Sequence, residues 1–172
     1  TVNDGNTNTA STTFDVTLVD AIPPTIVCPS NITQNTDFEL CSAIVNFAIP
    51  VGTDNCTGAV TTQTDVSGLT SGSTFPVGVT VLEYTVTDAA GNSNACSFTV
   101  TVIDNVPPLT PVLEDLVGEC SVTATIPQTT DICSELAING STLDPLIYNS
   151  QGTFVINWIF EDGNGNIINV PQ

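Results

Sequence analysis

The 172-residue chain contains no lysine, no arginine and no histidine. Each absence removes a class of function. Without Lys or Arg nothing neutralises a phosphate backbone, so nucleic-acid binding is excluded. An anionic membrane surface would repel the chain, and no apolar run approaches the roughly 18 residues of a membrane span. Without His or Lys there is no Ser-His-Asp triad, no Schiff base and no Lys–Asn isopeptide crosslink. Paired carboxylates could still act as acid and base, but nothing singles out such a pair, so no catalytic residue is assigned and a non-enzymatic role is expected. A signal peptide is also missing, so an exported protein of this kind would be a processed or excerpted chain.

What is present is acid, apolar material and cysteine. Eighteen acidic residues give a formal charge of −18, yet hydrophobic residues make up 41% of the chain. That is enough apolar surface to fold, so disorder is the weaker reading. Six cysteines without a CxxC pair or a histidine argue against zinc and for structural disulfides in an exported protein.

An internal repeat organises the chain. Phe14 to Pro24 reads FDVTLVDAIPP and Phe98 to Pro108 reads FTVTVIDNVPP, with Phe, Val, Asp and both prolines recurring 84 residues apart. No segment keeps helical periodicity for two turns, whereas eleven prolines, twelve glycines and many β-branched residues suit strands joined by turns. Strands are expected at Thr13–Val19, Ile26–Thr33, Ser42–Ala48, Ala59–Asp65, Ser73–Pro76, Val79–Thr87 and Ala95–Ile103, and again at Phe154–Glu161. That spacing predicts an all-β fold of tandem immunoglobulin-like β-sandwich repeats. The expected units are 1–20, the turn and final strand of a preceding repeat; 21–104, a complete sandwich; and 105–172, a following repeat lacking its last strand. Either the chain is an excerpt of a longer array, or residues 9–20 complete another molecule's last repeat by strand donation. Asp4–Asn8 and Asp162–Asn166 are two copies of one turn, an overlap that favours the excerpt.

The segments PPTIVCPSNIT, CSAIVNF, TDNC, GLTSGSTFPVGVTVLEYTVTDAAGN and ACSFTVTVID together resemble the hyalin-repeat (HYR) domain across 21–104. Residues 105–172 match more loosely, without the CP opening or the FPVG motif. The resemblance implies an immunoglobulin-like fold and an extracellular adhesive role without enzymatic activity. Acidic, lysine-poor arrays of this sort are similar to parts of giant surface adhesins of gliding Bacteroidetes, which would place the chain on a bacterial surface. Neighbouring repeats of the same chain would then be its constant partners, beside an unidentified surface or glycan ligand. A fimbrial subunit and a carbohydrate-binding module are the alternatives. Trp158 and Tyr84 share a core-facing phase, which makes them core aromatics before a sugar-stacking platform.

Internal repetition also bears on the cysteines. The last repeat keeps Cys120 and Cys133, counterparts of Cys41 and Cys56, and lacks both counterparts of Cys28 and Cys96. Cysteines that vanish together are read as bonded, which predicts Cys28–Cys96, Cys41–Cys56 and Cys120–Cys133. The second pairing requires the chain to double back near Pro50-Val51-Gly52.

If strands alternate up and down, Asp54 and Asn55, the turn from Asp88 to Asn92, and Asp20 meet at one end of the first sandwich. Asp104, Asp131 and Asp162 repeat that trio at the next joint. Calcium takes six to eight oxygen ligands and could stiffen such a joint; the blander reading is turn-forming Asp and Asn bonded to nearby backbone.

Overall fold

In the computed structural model, which describes residues 1–3, 5–6 and 9–172, the described residues form strands, turns and loops and no helix. A small hairpin of β1 (Val2–Asn3) and β2 (Thr9–Ala10) comes first. Asp4, Thr7 and Asn8 of the expected turn lie outside the described residues. The first repeat follows with β3 (Ile32–Asn35), β4 (Ser42–Ile44), β5 (Val60–Gln63), β6 (Thr74–Pro76), β7 (Gly78–Thr87) and β8 (Ser93–Ile103). The second has β9 (Val122–Thr123), β10 (Gln128–Asp131), β11 (Ser134–Asn139), β12 (Ile147–Tyr148), β13 (Asn157–Glu161) and β14 (Ile167–Pro171).

The β7–β8 hairpin is the spine of the first repeat. Its alternation sends Leu82, Tyr84 and Val86 to one face and Phe98, Val100 and Val102 to the same face, with Leu82 opposite Phe98. Gly91, at φ 93°, supplies the left-handed residue that closes its turn. The sheet runs β3-β8-β7-β5, with β3 parallel to β8 and the other pairs antiparallel. The β4–β6 pair supplies Ala43 and Phe75, which with Val45 close the core from the other layer. Burying each such aliphatic or aromatic side chain contributes about 1.5–3 kcal/mol. The Tyr84 hydroxyl reaches Gln63 Oε1 at 3.2 Å, so the core takes in this phenol with its polar end bonded.

The second repeat has its own core of Ala124, Ile138, Ile156, Trp158, Phe160 and Val170. Trp158 is fully buried and donates from Nε1 to Gln172 Oε1 at 3.0 Å. Trp158 and Tyr84 are thus both core residues.

Three expectations about strands are corrected. Residues 105–172 do carry the start of a last strand: β14 pairs antiparallel with β13, Trp158 opposite Val170 as Tyr84 is opposite Cys96. The strand expected over Ile26–Thr33 begins only at Ile32, because Pro29 cannot donate to a ladder and Thr25 instead makes an isolated bridge to Thr53. Thr13–Val19 forms no strand. Its apolar stripe of Phe14, Val16 and Leu18 is 84%, 81% and 98% exposed, since alternation alone gives a strand no partner to pair with.

Candidate functional site: the joints before each repeat

Each repeat is entered through an aspartate followed by a short proline-containing segment, and the same side chains gather around that aspartate twice. At the first joint Asp20 Oδ1 accepts the Ile22 N–H at 3.1 Å. The Asp20 carbonyl accepts from Asn92 Nδ2 at 3.2 Å. Asn92 also donates to Asp88 Oδ2 at 2.8 Å, while Asp88 Oδ1 takes the N–H groups of Ala90 and Asn92 at 2.9 and 2.8 Å. The hairpin turn of each repeat is therefore tied to the chain that enters the repeat. Asp54 Oδ2 accepts the Cys56 N–H at 2.9 Å, and Asn55 Nδ2 lies 3.3 Å from Cys56 Sγ.

The second joint repeats this arrangement. Asp104 Oδ1 accepts the Val106 N–H at 3.0 Å, and its carbonyl accepts from Asn166 Nδ2 at 3.2 Å. Asn166 donates to Asp162 Oδ2 at 2.6 Å, and Asp162 Oδ1 accepts the N–H groups of Asn164 and Asn166 at 2.7 and 3.1 Å. Asn164 Nδ2 adds a bond to Asp104 Oδ2 at 3.1 Å. Asp131 Oδ1 accepts the Cys133 N–H at 2.6 Å. From the first repeat, Thr36 bonds Asn105 through their side chains.

All eight residues singled out from the sequence (Asp20, Asp54, Asn55, Asp88, Asn92, Asp104, Asp131 and Asp162) lie at these joints, and each has a hydrogen-bonding role there. Sequence reasoning missed Asn164 and Asn166 as joint residues, although the match of the two turns could have supplied Asn166. It also missed that a cysteine belongs to each cluster. Oxygen or sulfur atoms of Asp20, Asp54 and Cys56 lie within 4.8 Å of one another, as do those of Asp104, Asp131 and Cys133.

The charges at the joints are poorly compensated. Burial pushes the Asp131 carboxyl above the usual range; the Cys133 N–H opposes this, and the charges of Asp104 and Asp162 reinforce it. The Ile22 N–H holds Asp20 below the ordinary carboxylate value, helped by the Cys56 thiol. Donation to Asp20 raises the Cys56 thiol, with burial and the charges of Asp20, Asp54 and Asp88 acting the same way. Burial would raise Asp162, but the donors on Asn166 and Asn164 outweigh it and its pKa falls. One buried oxygen on each DxC aspartate, Asp54 Oδ1 and Asp131 Oδ2, has no hydrogen-bond partner. Asp131 itself is 4% exposed. A buried carboxylate oxygen without a donor, on an aspartate clustered with a second aspartate, suits a hard cation with oxygen ligands.

The cysteines depart from two of the expected pairings. Cys28 and Cys96 are joined, with Cα atoms 5.7 Å apart, next to the parallel β3–β8 pair. Cys41 does not bond Cys56, nor Cys120 Cys133: Cys41 bonds Cys133 across the joint, with Cα atoms 5.0 Å apart. Cys56 and Cys120 are free and exposed. The physical reason is that the end of the first repeat carrying Cys41 abuts the DxC loop of the second, whereas Cys56 sits at the first repeat's other joint beside Asp20.

These features define a disulfide-bonded, all-β protein with two separate cores, a chemistry at home in an oxidising, extracellular setting. Residues 19–102 match the HYR domain. The chain is 30% identical over 94% of its length to hyalin of Strongylocentrotus purpuratus and 31% identical over 94% to hyalin of Lytechinus variegatus. It spans 14% and 32% of those two proteins. Over 49% of the chain it is 38% identical to the Sushi repeat-containing protein SRPX of Rattus norvegicus, covering 18% of that protein. These relatives are animal proteins and lend no support to the expected likeness to bacterial adhesins.

Proposed function

We propose that the chain is a structural segment of an extracellular, adhesion-type protein built from HYR-like sandwiches, and that its work is to fix one repeat against the next. The observation that carries this reading is the duplicated joint, in which the hairpin turn of each repeat holds the incoming aspartate and Cys41–Cys133 bonds the two repeats covalently. A bacterial surface and a part in gliding rest on the acidic, lysine-free composition alone. Small-angle scattering of the oxidised chain against the Cys41→Ser/Cys133→Ser variant tests the mechanical role. The variant is expected to sample a broader range of inter-repeat distances. Identical profiles with both repeats folded would overturn the reading.

Calcium at the joints deepens it. Asp104 and Asp131, whose ligand atoms cluster, would hold the ion with Asp162 nearby, and the ion would supply the positive charge the sequence lacks. A ligand at a hundred times its Kd stabilises by about 2.7 kcal/mol. Calcium should therefore raise the melting temperature of the wild type over chelator, and Asp131→Asn should lose most of that rise. A wild-type midpoint insensitive to calcium would sink the metal.

Strand donation keeps one observation in its favour. An open groove of about 840 Å³, lined among others by Leu116–Glu119 and Gly152–Phe154, reaches Gln172, just past β14. The exposed Phe14, Val16 and Leu18 are the repeat counterparts of Phe98, Val100 and Val102. Against it, β1 and β2 form the same hairpin end that β13 and β14 already provide. Oligomers that vanish on removal of residues 1–20 would favour donation.

A further inference from the structure

We infer that Cys56 and Cys120 are the open ends of a disulfide ladder whose closed rung is Cys41–Cys133: Cys56 bonds a cysteine of the HYR-type repeat on its N-terminal side, and Cys120 one of the repeat on its C-terminal side. The inference rests on the reading of the chain as a segment of repeats and names the covalent chemistry of their contacts.

The equivalences are structural. Cys133 follows Asp131 by two residues, its N–H is held by Asp131 Oδ1, and it lies within 4.8 Å of the joint aspartate Asp104. Cys56 follows Asp54 by two, its N–H is held by Asp54 Oδ2, and it lies within 4.8 Å of the joint aspartate Asp20. Cys56 therefore occupies the accepting end of a joint, as Cys133 does. Cys41 lies two residues before Ala43, which pairs with Phe75 in the second layer of the first repeat. Cys120 lies two residues before Val122, which pairs with Tyr148 in the same relation. It occupies the donating end, as Cys41 does. Each repeat thus carries one cysteine of each kind, and the structure joins unlike kinds across the joint it contains. The two left over are both exposed and unpaired.

Closing a rung removes two protons and two electrons from two thiols. A small-molecule disulfide of the oxidised-glutathione class accepts the electrons and leaves as two thiols. Where the bond forms first as a mixed disulfide on one cysteine, the thiolate of the other attacks it and one small thiol departs.

A second copy of the chain serves as the neighbouring repeat. The intact chain is equilibrated in a glutathione redox buffer and its disulfides are read by peptide mapping. Guided docking raises the effective concentration of the unlike thiols, so intermolecular Cys56–Cys120 peptides should exceed both like pairs by about tenfold. Cys56→Ser and Cys120→Ser should each stay monomeric alone and form a single crosslinked dimer when mixed. Like pairs in random proportion, an intramolecular Cys56–Cys120 bond, or no crosslink would overturn the inference. Absence of Cys41–Cys133 in the same map would instead count against the joint reading itself, which separates the two failures.

Discussion

At the scale of single residues, the joints depend on close approach as much as on charge. Gly52 shows why. The loop after Pro50 runs directly over β7, and a Cβ on Gly52 would lie 2.5 Å from Val86 Cβ and Cγ2, with Cγ1 at 2.8 Å. Val86 is fully buried in the centre of the sheet and cannot step aside. The Gly52 N–H is meanwhile fixed to Thr61 Oγ1 at 2.8 Å, so the loop cannot lift without losing that bond. Gly52→Ala should destabilise by about 1–3 kcal/mol through overpacking. Trimming the neighbour gives the check: Gly52→Ala combined with Val86→Gly, which removes the clashing Cβ as well as both methyls, should cost clearly less than the two single changes added. Urea unfolding measures all three, and strict additivity would show that the contact does not constrain the loop.

At the scale of elements, the β5–β6 loop is held by one carboxylate. Asp65 Oδ2 accepts from Gln63 Nε2 at 2.8 Å and from the Glu83 N–H at 3.2 Å, and Oδ1 accepts the Ser67 N–H at 2.9 Å. Burial alone would raise its pKa, but the Ser67, Gln63 and Glu83 donors outweigh that and hold it below the usual carboxylate range. A carboxylate whose folded pKa is depressed contributes stability above its unfolded pKa, and that contribution fades as pH falls through the folded value. Protonating the other acids relieves repulsion at the same time, so the informative quantity is a difference. Asp65→Asn should melt below the wild type at pH 7, and the gap should narrow once the pH drops below about 4. A gap that stays constant down to pH 2.5 would show that the charge on Asp65 is irrelevant to the loop.

Elements also show what could be read from the chain beforehand. The β7–β8 hairpin, β13 and the acidic joint residues were legible, because period-two alternation and Asp/Asn turns are local properties. Cys28–Cys96 was legible too: both partners lie in one repeat, so the repeat that lacks one lacks both. The same argument misled for Cys41 and Cys133. A rung that crosses a joint leaves one cysteine of each kind in every repeat, so both persist together without being bonded to each other. Thr13–Val19 alternates as well as β8 does, yet a strand needs a partner, and alternation does not supply one.

At the scale of the whole molecule, the chain carries eighteen acidic side chains and no basic ones. Surface charge therefore opposes compaction almost everywhere, and ordinary side-chain ion pairs cannot offset it. Simple salt should consequently stabilise the protein. Between 0.01 M and 0.1 M the Debye length falls from about 30 to about 10 Å, which screens repulsion between joints and across each sandwich. The melting temperature should rise with sodium chloride and level off once screening is complete; about 1 kcal/mol corresponds to roughly 4–8 °C for domains of this size. A protein held by surface ion pairs would shift the other way, so a midpoint that falls with sodium chloride would contradict the charge argument. Screening is indifferent to the identity of the cation, whereas the orphaned oxygens of Asp54 and Asp131 are not. At matched ionic strength, calcium should raise the midpoint beyond the sodium value in the wild type, and Asp131→Asn should bring the two salts close together. Equal effects of the two salts on the wild type would assign the whole response to screening and leave the joints to be held by Cys41–Cys133 and the Asn–Asp bonds alone.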